Sequence, residues 1–125
     1  MLIYRPYSDG RTLGLVSPSS SSQEACIREA YSRAKITDFS ATGYFECHGT
    51  GTAVGDPAEV GAVGRVFCRS RMNDDPLYIG SIKTNPGHGE GASALSGVIK
   101  GIVSLEGDRI LPNINFEQPN SKSES

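Results

Sequence analysis

ECHGTGTAVGDPAEV, residues 46–60, decides how the rest of the chain reads. A histidine closes a short apolar run, and three glycines and two threonines separate it from a helix start. The run before it, residues 42–47, holds Tyr44 and Phe45 and lies between Ser-Ala-Thr-Gly and His-Gly, which predicts a buried strand. At the far end Asp56 reads as an N-cap, and Pro57 suits a first helical turn because it has no N–H to leave unpaired. Glu59, three residues after Asp56, completes a capping box. A strand, a bare hydroxyl-rich loop and a helix N-terminus place His48 where a scaffold presents chemistry.

Composition narrows the classes. The chain has 125 residues, 37% hydrophobic content and a net charge of −2, enough for one modest domain and not the signature of a disordered chain. With near-neutral charge, no basic run and no Trp, a nucleic-acid groove is not expected. No apolar stretch reaches membrane length, and LIYRPYSDGR after Met1 lacks the apolar core of a secretory signal. Cytoplasmic localisation is therefore the expectation. Cys26, Cys47 and Cys68 are odd in number and form no CxxC pair, so neither a disulfide framework nor a zinc knuckle is predicted.

Working outward, residues 1–22 read as a loop segment with an Asp9-Gly10 turn and a serine run able to cap the next helix. A helix is predicted from about Gln23, with Cys26, Ile27, Ala30, Tyr31 and Ala34 on its apolar face. After the glycine-rich loop a second helix, residues 57–68, offers Val60, Val63, Val66 and Phe67 for burial. A second strand, residues 77–82, runs into Lys83-Thr84-Asn85-Pro86-Gly87-His88-Gly89-Glu90. A third helix, residues 91–105, carries Leu95, Val98, Ile99, Ile102 and Val103, with Gly97 and Gly101 four apart on one face for close backbone approach. Residues 121–125 are a polar tail. The alternation of helix and strand predicts α/β layers. So few strands with such apolar helices read as part of a larger sheet.

His48 and His88 are the only histidines, and each stands between a strand and a glycine-containing turn. A single histidine so placed is commonly a hydrogen-bonded structural residue; two in matching positions, flanked by Lys83 and Glu90, point to chemistry. Neutral imidazole N–H groups stabilise an oxyanion, and a nearby ammonium and carboxylate fix ring protonation and orientation. Thr50 and Thr52 alternate with glycines, so a ligand can approach the backbone and bond the hydroxyls. As a phosphate loop the stretch lacks both the Walker ending and the GxGxxG spacing. A zinc site from Cys47, His48 and His88 is disfavoured because adjacent strand residues face opposite ways, so no metal is expected.

HGTGTAVGDPAEV, IGSIKTNPGHGEGASALSGVIKGIVSLE and ILPNINFEQPN, in that order, resemble the later part of a β-ketoacyl synthase domain of a polyketide synthase. The Glu46-Cys47 pair before the histidine resembles the fungal iterative, highly reducing type. The resemblance implies a partial thiolase-like fold, part of the second half of a duplicated αβαβα architecture, with residues 23–120 as the partial core. It further implies decarboxylative Claisen condensation of acyl and malonyl thioesters on acyl carrier protein, in a domain that is a homodimer when complete. His48 and His88 match the family's two histidines, Lys83 and Glu90 the charged pair beside them, and Thr50 and Thr52 the residues that bond the phosphopantetheine arm. That arm enters as substrate carrier; no directly bound cofactor is implied.

The family's nucleophilic cysteine lies in an Asp-Thr-Ala-Cys-Ser-Ser segment of the first half. None of the three cysteines here matches it, so the isolated chain is expected to be inactive. Pro86 stands where an aliphatic residue is usual, and it predicts extended geometry at Asn85. The alternative to a ketosynthase segment is a non-catalytic remnant that binds a carrier protein, a pantetheine arm or another chain.

Overall fold

The computed structural model describes residues 18–69, 71–72 and 74–118. The predicted loop chemistry of residues 1–17 and the tail at 121–125 lie outside them. The described elements alternate: helix α1 (Ser20–Ala34), strand β1 (Tyr44–Glu46), helix α2 (Gly55–Phe67), strand β2 (Tyr78–Gly80) and helix α3 (Ser93–Glu106), with 3₁₀ turns at Phe39–Ala41, Ile82–Thr84 and Glu90–Ala92.

The serine run does cap α1, from three residues earlier than the periodicity places its start. Ser19 accepts from the Ser22 N–H at 3.2 Å, the expected N-cap bond. Ile27 and Tyr31 pack on the core, but Ala30 and Ala34 are exposed. The apolar stripe is therefore narrower than five residues, because one neighbouring helix, α2, covers only part of the α1 face. Val63, Val66 and Phe67 of α2 form the buried centre, with Ile27, Tyr31, Phe39, Phe45 and Leu77 around it. Phe67 meets Tyr31 edge-on at 5.4 Å and Phe39 at 5.9 Å, the offset geometry that aromatic quadrupoles favour. Polar ties lock the same interface: Arg65 bonds Glu24 at 2.7 Å, and the Ser20 hydroxyl donates to the Ala58 carbonyl at 2.6 Å.

The strands pair in parallel, Tyr44 with Tyr78 and Glu46 with Gly80. Each has three residues, half the predicted length, and neither is fully buried. With only two described strands, the apolar runs continue past the ladder into irregular backbone and, after β2, a 3₁₀ turn. Side chains alternate across the sheet. Phe45 faces the α2 core, while Tyr44 and Glu46 meet Lys100 of α3. The order is helix pair, sheet, single helix: α/β layers, the arrangement expected of a partial thiolase-like fold.

Helix α3 is open. Leu95, Val98, Ile99, Ile102 and Val103 are all exposed, as expected of a layer that the rest of a larger fold covers. Of the two α3 glycines, Gly97 serves close approach, since a Cβ there would sit 3.3 Å from Glu46 Cγ. Gly101 does not, having nothing within 4 Å of such a Cβ.

The helix start after the glycine-rich loop differs from the sequence reading. Asp56 is not the N-cap but the second residue of α2. The N-cap position falls on Val54, which makes no side-chain cap bond; ahead of it Thr52 Oγ1 accepts from the Gly55 N–H at 3.1 Å while Asp56 Oδ1 accepts from the Thr52 N–H at 3.1 Å. The exchange is a capping box moved toward the loop. Asp56 and Glu59 therefore do not cap each other, and Glu59 is free to act elsewhere.

Candidate active site

The two histidines come together at the C-terminal ends of the neighbouring strands, the end where open α/β sheets bind ligands. Their ring centroids are 5.2 Å apart with planes at 89°. His48 is reached two residues after β1, and His88 at the end of the turn that follows β2. Lys83, in the 3₁₀ turn between β2 and His88, lines a cavity of about 340 Å³ together with His48, Glu46, Cys47 and Gly97.

That turn is built by short-range bonds. The Ser81 hydroxyl accepts from the Lys83 N–H at 3.3 Å, and Asn85 and Gly87 donate to the carbonyls of Ile82 and Lys83 at 2.9 and 3.0 Å. Asn85 sits in the right-handed helical region, φ −93° and ψ −72°, not the extended geometry predicted before Pro86. The two backbone bonds that close the turn outweigh the pre-proline bias, and the N–H that Pro86 lacks is not called for.

The His48 backbone is held from three sides. Glu59 accepts from the His48 and Gly49 N–H groups at 2.5 and 3.0 Å. The Ser81 hydroxyl donates to the His48 carbonyl at 3.2 Å. The Cys47 N–H donates to the Gly80 carbonyl at 2.7 Å. From the C-terminal segment Asn113 accepts from the Ser81 N–H and Asn115 donates to the Thr84 carbonyl, both at 3.1 Å. Glu59 is read from the sequence only as a capping partner, and Ser81, Asn113 and Asn115 are not singled out there. Their polar character at the ends of apolar runs is the available signal, but their partners lie too far along the chain to be read from spacing.

The electrostatics favour a neutral ring at His48. Partial desolvation, then the Lys83 ammonium, hold its pKa below the usual histidine value, with His88 acting the same way and Glu59 and Asp56 opposing. A neutral imidazole keeps one N–H donor. Cys47 is buried, and desolvation followed by the Glu59 and Glu46 charges pushes its thiol up to about 12, the opposite of an activated nucleophile.

The remaining predicted residues divide. Among the described residues Thr50 has no side-chain hydrogen bond, so its hydroxyl is available to a ligand, whereas the Thr52 oxygen is already accepting at the start of α2. Glu90 opens the 3₁₀ turn after His88 with φ 45°. Lys83 and Glu90 make no ion pair with each other among the described residues. The expected charged couple beside His88 is instead a lysine acting on His48. Among the described residues no group of three or more metal-ligating side chains converges, and no helix is long and apolar enough to cross a membrane.

Comparison with known proteins gives one picture. Residues 4–117 match the family model described as beta-ketoacyl synthase, C-terminal domain. The chain is 56% identical over 119 residues to the polyketide synthase-like protein Preu9 of Preussia isomera, covering 88% of this chain and 6% of that protein. It is 52% identical over 115 residues to the highly reducing polyketide synthase GPY1 of Gibberella fujikuroi, covering 92% of this chain and 4% of that protein. Among solved structures, the ketosynthase from module 6 of the bacillaene synthase of Bacillus subtilis superposes with a TM-score of 0.81 at 36% identity, over 91% of this chain and 20% of that one. An oxazolomycin ketosynthase domain of Streptomyces albus superposes at 0.83 with 30% identity, over 92% of this chain and 20% of that one. The chain thus spans about a twentieth of the length of the two polyketide synthases and about a fifth of the solved ketosynthase chains.

Proposed function

The chain belongs to the β-ketoacyl synthases, as a segment of their C-terminal domain, and on that premise we propose that it supplies the oxyanion-stabilising half of a condensing site in a complete polyketide ketosynthase. The observation that carries this is the meeting of two imidazoles, 5.2 Å apart and edge-to-face, at the ends of two parallel strands.

The proposed substrates are an acyl thioester held on a cysteine of the first half of the domain and a malonyl thioester carried by the phosphopantetheine arm of an acyl carrier protein. Gly51, with nothing within 4 Å of an added Cβ, leaves room for the arm, Thr50 offers a free hydroxyl, and Thr52 can still donate its O–H. Loss of carbon dioxide leaves the electron pair of the broken carbon–carbon bond on the thioester as an enolate. Its oxygen receives N–H donation from His48 and His88. The enolate carbon then attacks the acyl carbonyl, and the cysteine thiolate departs. Desolvation and then the Lys83 ammonium favour the neutral form of His48, which donates its one N–H without surrendering it, whereas an imidazolium would give up its extra proton to the enolate. Glu90 follows His88 as the carboxylate that opens the next 3₁₀ turn. Preplaced donors around a developing oxyanion are commonly worth about 3–4 kcal/mol each.

The test is a complete ketosynthase domain carrying residues 4–117 of this chain, assayed separately for acyl-enzyme formation and for carbon dioxide release. His48→Ala and His88→Ala are each expected to lower carbon dioxide release by about a hundredfold or more while acyl loading continues. Unchanged condensation in both variants rules the assignment out.

A further inference from the structure

His48 and His88 stand on separate connections, so their spacing depends on a group that grips both. Glu46, two residues ahead of His48, is placed to do so. Its Oε1 accepts from the Ile82 N–H at 2.6 Å, at the first residue of the turn that carries Lys83 and leads to His88. Its Oε2 takes the Lys100 ammonium at 3.0 Å and the Tyr44 hydroxyl. Both carboxylate oxygens are thereby occupied by the fold.

Lys100 is the unusual member. It is 5% exposed and is the one buried residue of α3, on a helix whose isoleucines, valines and leucines stand open. A buried ammonium is tolerated only when paired and hydrogen-bonded, and this one lies 5.3 Å above the Tyr44 ring as well as against Glu46. Gly97 gives α3 the close approach to Glu46 that lets Lys100 reach it. Neither charge is used by the condensing chemistry, and the carboxylate side chain nonetheless forms part of the wall of the cavity that His48 and Lys83 share.

We propose that the Glu46–Lys100 couple is a positioning element: with α3 as its anchor, it holds the turn after β2 against β1 and so sets the distance between the two imidazoles. This rests on the proposed role of His48 and His88. Lys100 fixes the carboxylate, the carboxylate fixes Ile82, and the turn from Ile82 delivers Lys83 and His88 to His48. Neither residue touches the reacting atoms.

The experiment uses a complete ketosynthase domain carrying residues 4–117. Glu46→Leu with Lys100→Met removes both charges together, a replacement that buried ion pairs commonly tolerate without loss of stability. Carbon dioxide release is expected to fall about tenfold or more with acyl loading within about twofold, because misplacement by an ångström costs rate and not nucleophilicity. Glu46→Asp keeps the charge and shortens the reach by one methylene. It is expected to show the same split, and it decides the matter if the double variant does not fold. A merely structural role would depress loading and release together. Release within about twofold of the parent in the folded variants overturns the inference, and His48→Ala in the same domain tells which idea has failed. If His48→Ala abolishes release while Glu46→Asp does not, only the positioning role falls. If His48→Ala also leaves release intact, both fall.

Discussion

Replacing Gly49 with alanine perturbs the His48 loop at its tightest point. Gly49 has φ +47°, and a Cβ built on it would stand 2.7 Å from Ser81 Cβ. The left-handed conformation costs an alanine about 1–2 kcal/mol, and overpacking of this kind costs about 1–3 kcal/mol more. Ser81 cannot yield by rotating its hydroxyl, because the clash is with its Cβ. It is also buried and bonded to the His48 carbonyl, the Lys83 N–H and Asn113. Relief must come from the His48–Gly49 backbone, which pulls on the Glu59 carboxylate and displaces the ring. A shift of about 1 Å costs a site of this type about a hundredfold in rate.

Two neighbouring positions separate the contributions. Gly51 has φ +80° with nothing within 4 Å of a new Cβ, and Gly43 has neither a positive φ nor a neighbour. In a complete domain, denaturant midpoints and carbon dioxide release should rank Gly43→Ala near the parent, Gly51→Ala intermediate at about 1–2 kcal/mol, and Gly49→Ala lowest in both. Equal behaviour of Gly49→Ala and Gly43→Ala would refute the account of this loop.

Further outcomes follow from the electrostatics and the cysteine environments. Lys83→Met removes the ammonium that, after desolvation, most lowers the His48 pKa, so that pKa should rise. Release needs a neutral His48 and is lost as pH falls through its pKa, so the acid limb of the pH–rate profile should move to higher pH; a limb that stays in place or moves down contradicts the assignment. The same depression means the unfolded chain takes up the proton first. The His48 contribution to stability is therefore present above the unfolded value of about 6.5 and is lost as pH falls below it. For the cysteines, iodoacetamide should label exposed Cys68 and spare Cys47, whose buried thiol is pushed up to about 12. An acyl-pantetheine donor should leave Cys26, Cys47 and Cys68 of this chain unacylated by intact mass. Rapid loading of any one, lost in His48→Ala, would contradict the reading that its nucleophile comes from elsewhere.

What the sequence made legible follows the range of the interactions. Helical periodicity identified α2 and its Val63, Val66 and Phe67 core, because a buried stripe is written every three or four residues. The strand, bare loop and helix order placed His48 correctly, and the repetition of that placement brought His88 to it. Glu59 was visible but misread: local rules made it a capping partner of Asp56, whereas it reaches back to the His48 N–H. Lys100 and Glu46 were not legible as a pair at all, since their helix and strand are brought together only by the packing of α3 on the sheet. Asn85 shows the limit of a dipeptide rule, its pre-proline bias losing to the two hydrogen bonds that close the turn.

The central claim is that His48 and His88 act on one oxygen. The direct measurement is carbon dioxide release from a malonyl thioester in a complete domain carrying this segment, for His48→Ala, His88→Ala and the double variant. Groups that work as a unit are grossly non-additive, so the double variant should be little slower than the worse single one, with acyl loading retained throughout. Losses that multiply, or a single variant that decarboxylates as fast as the parent, would show that the two rings do not share a site.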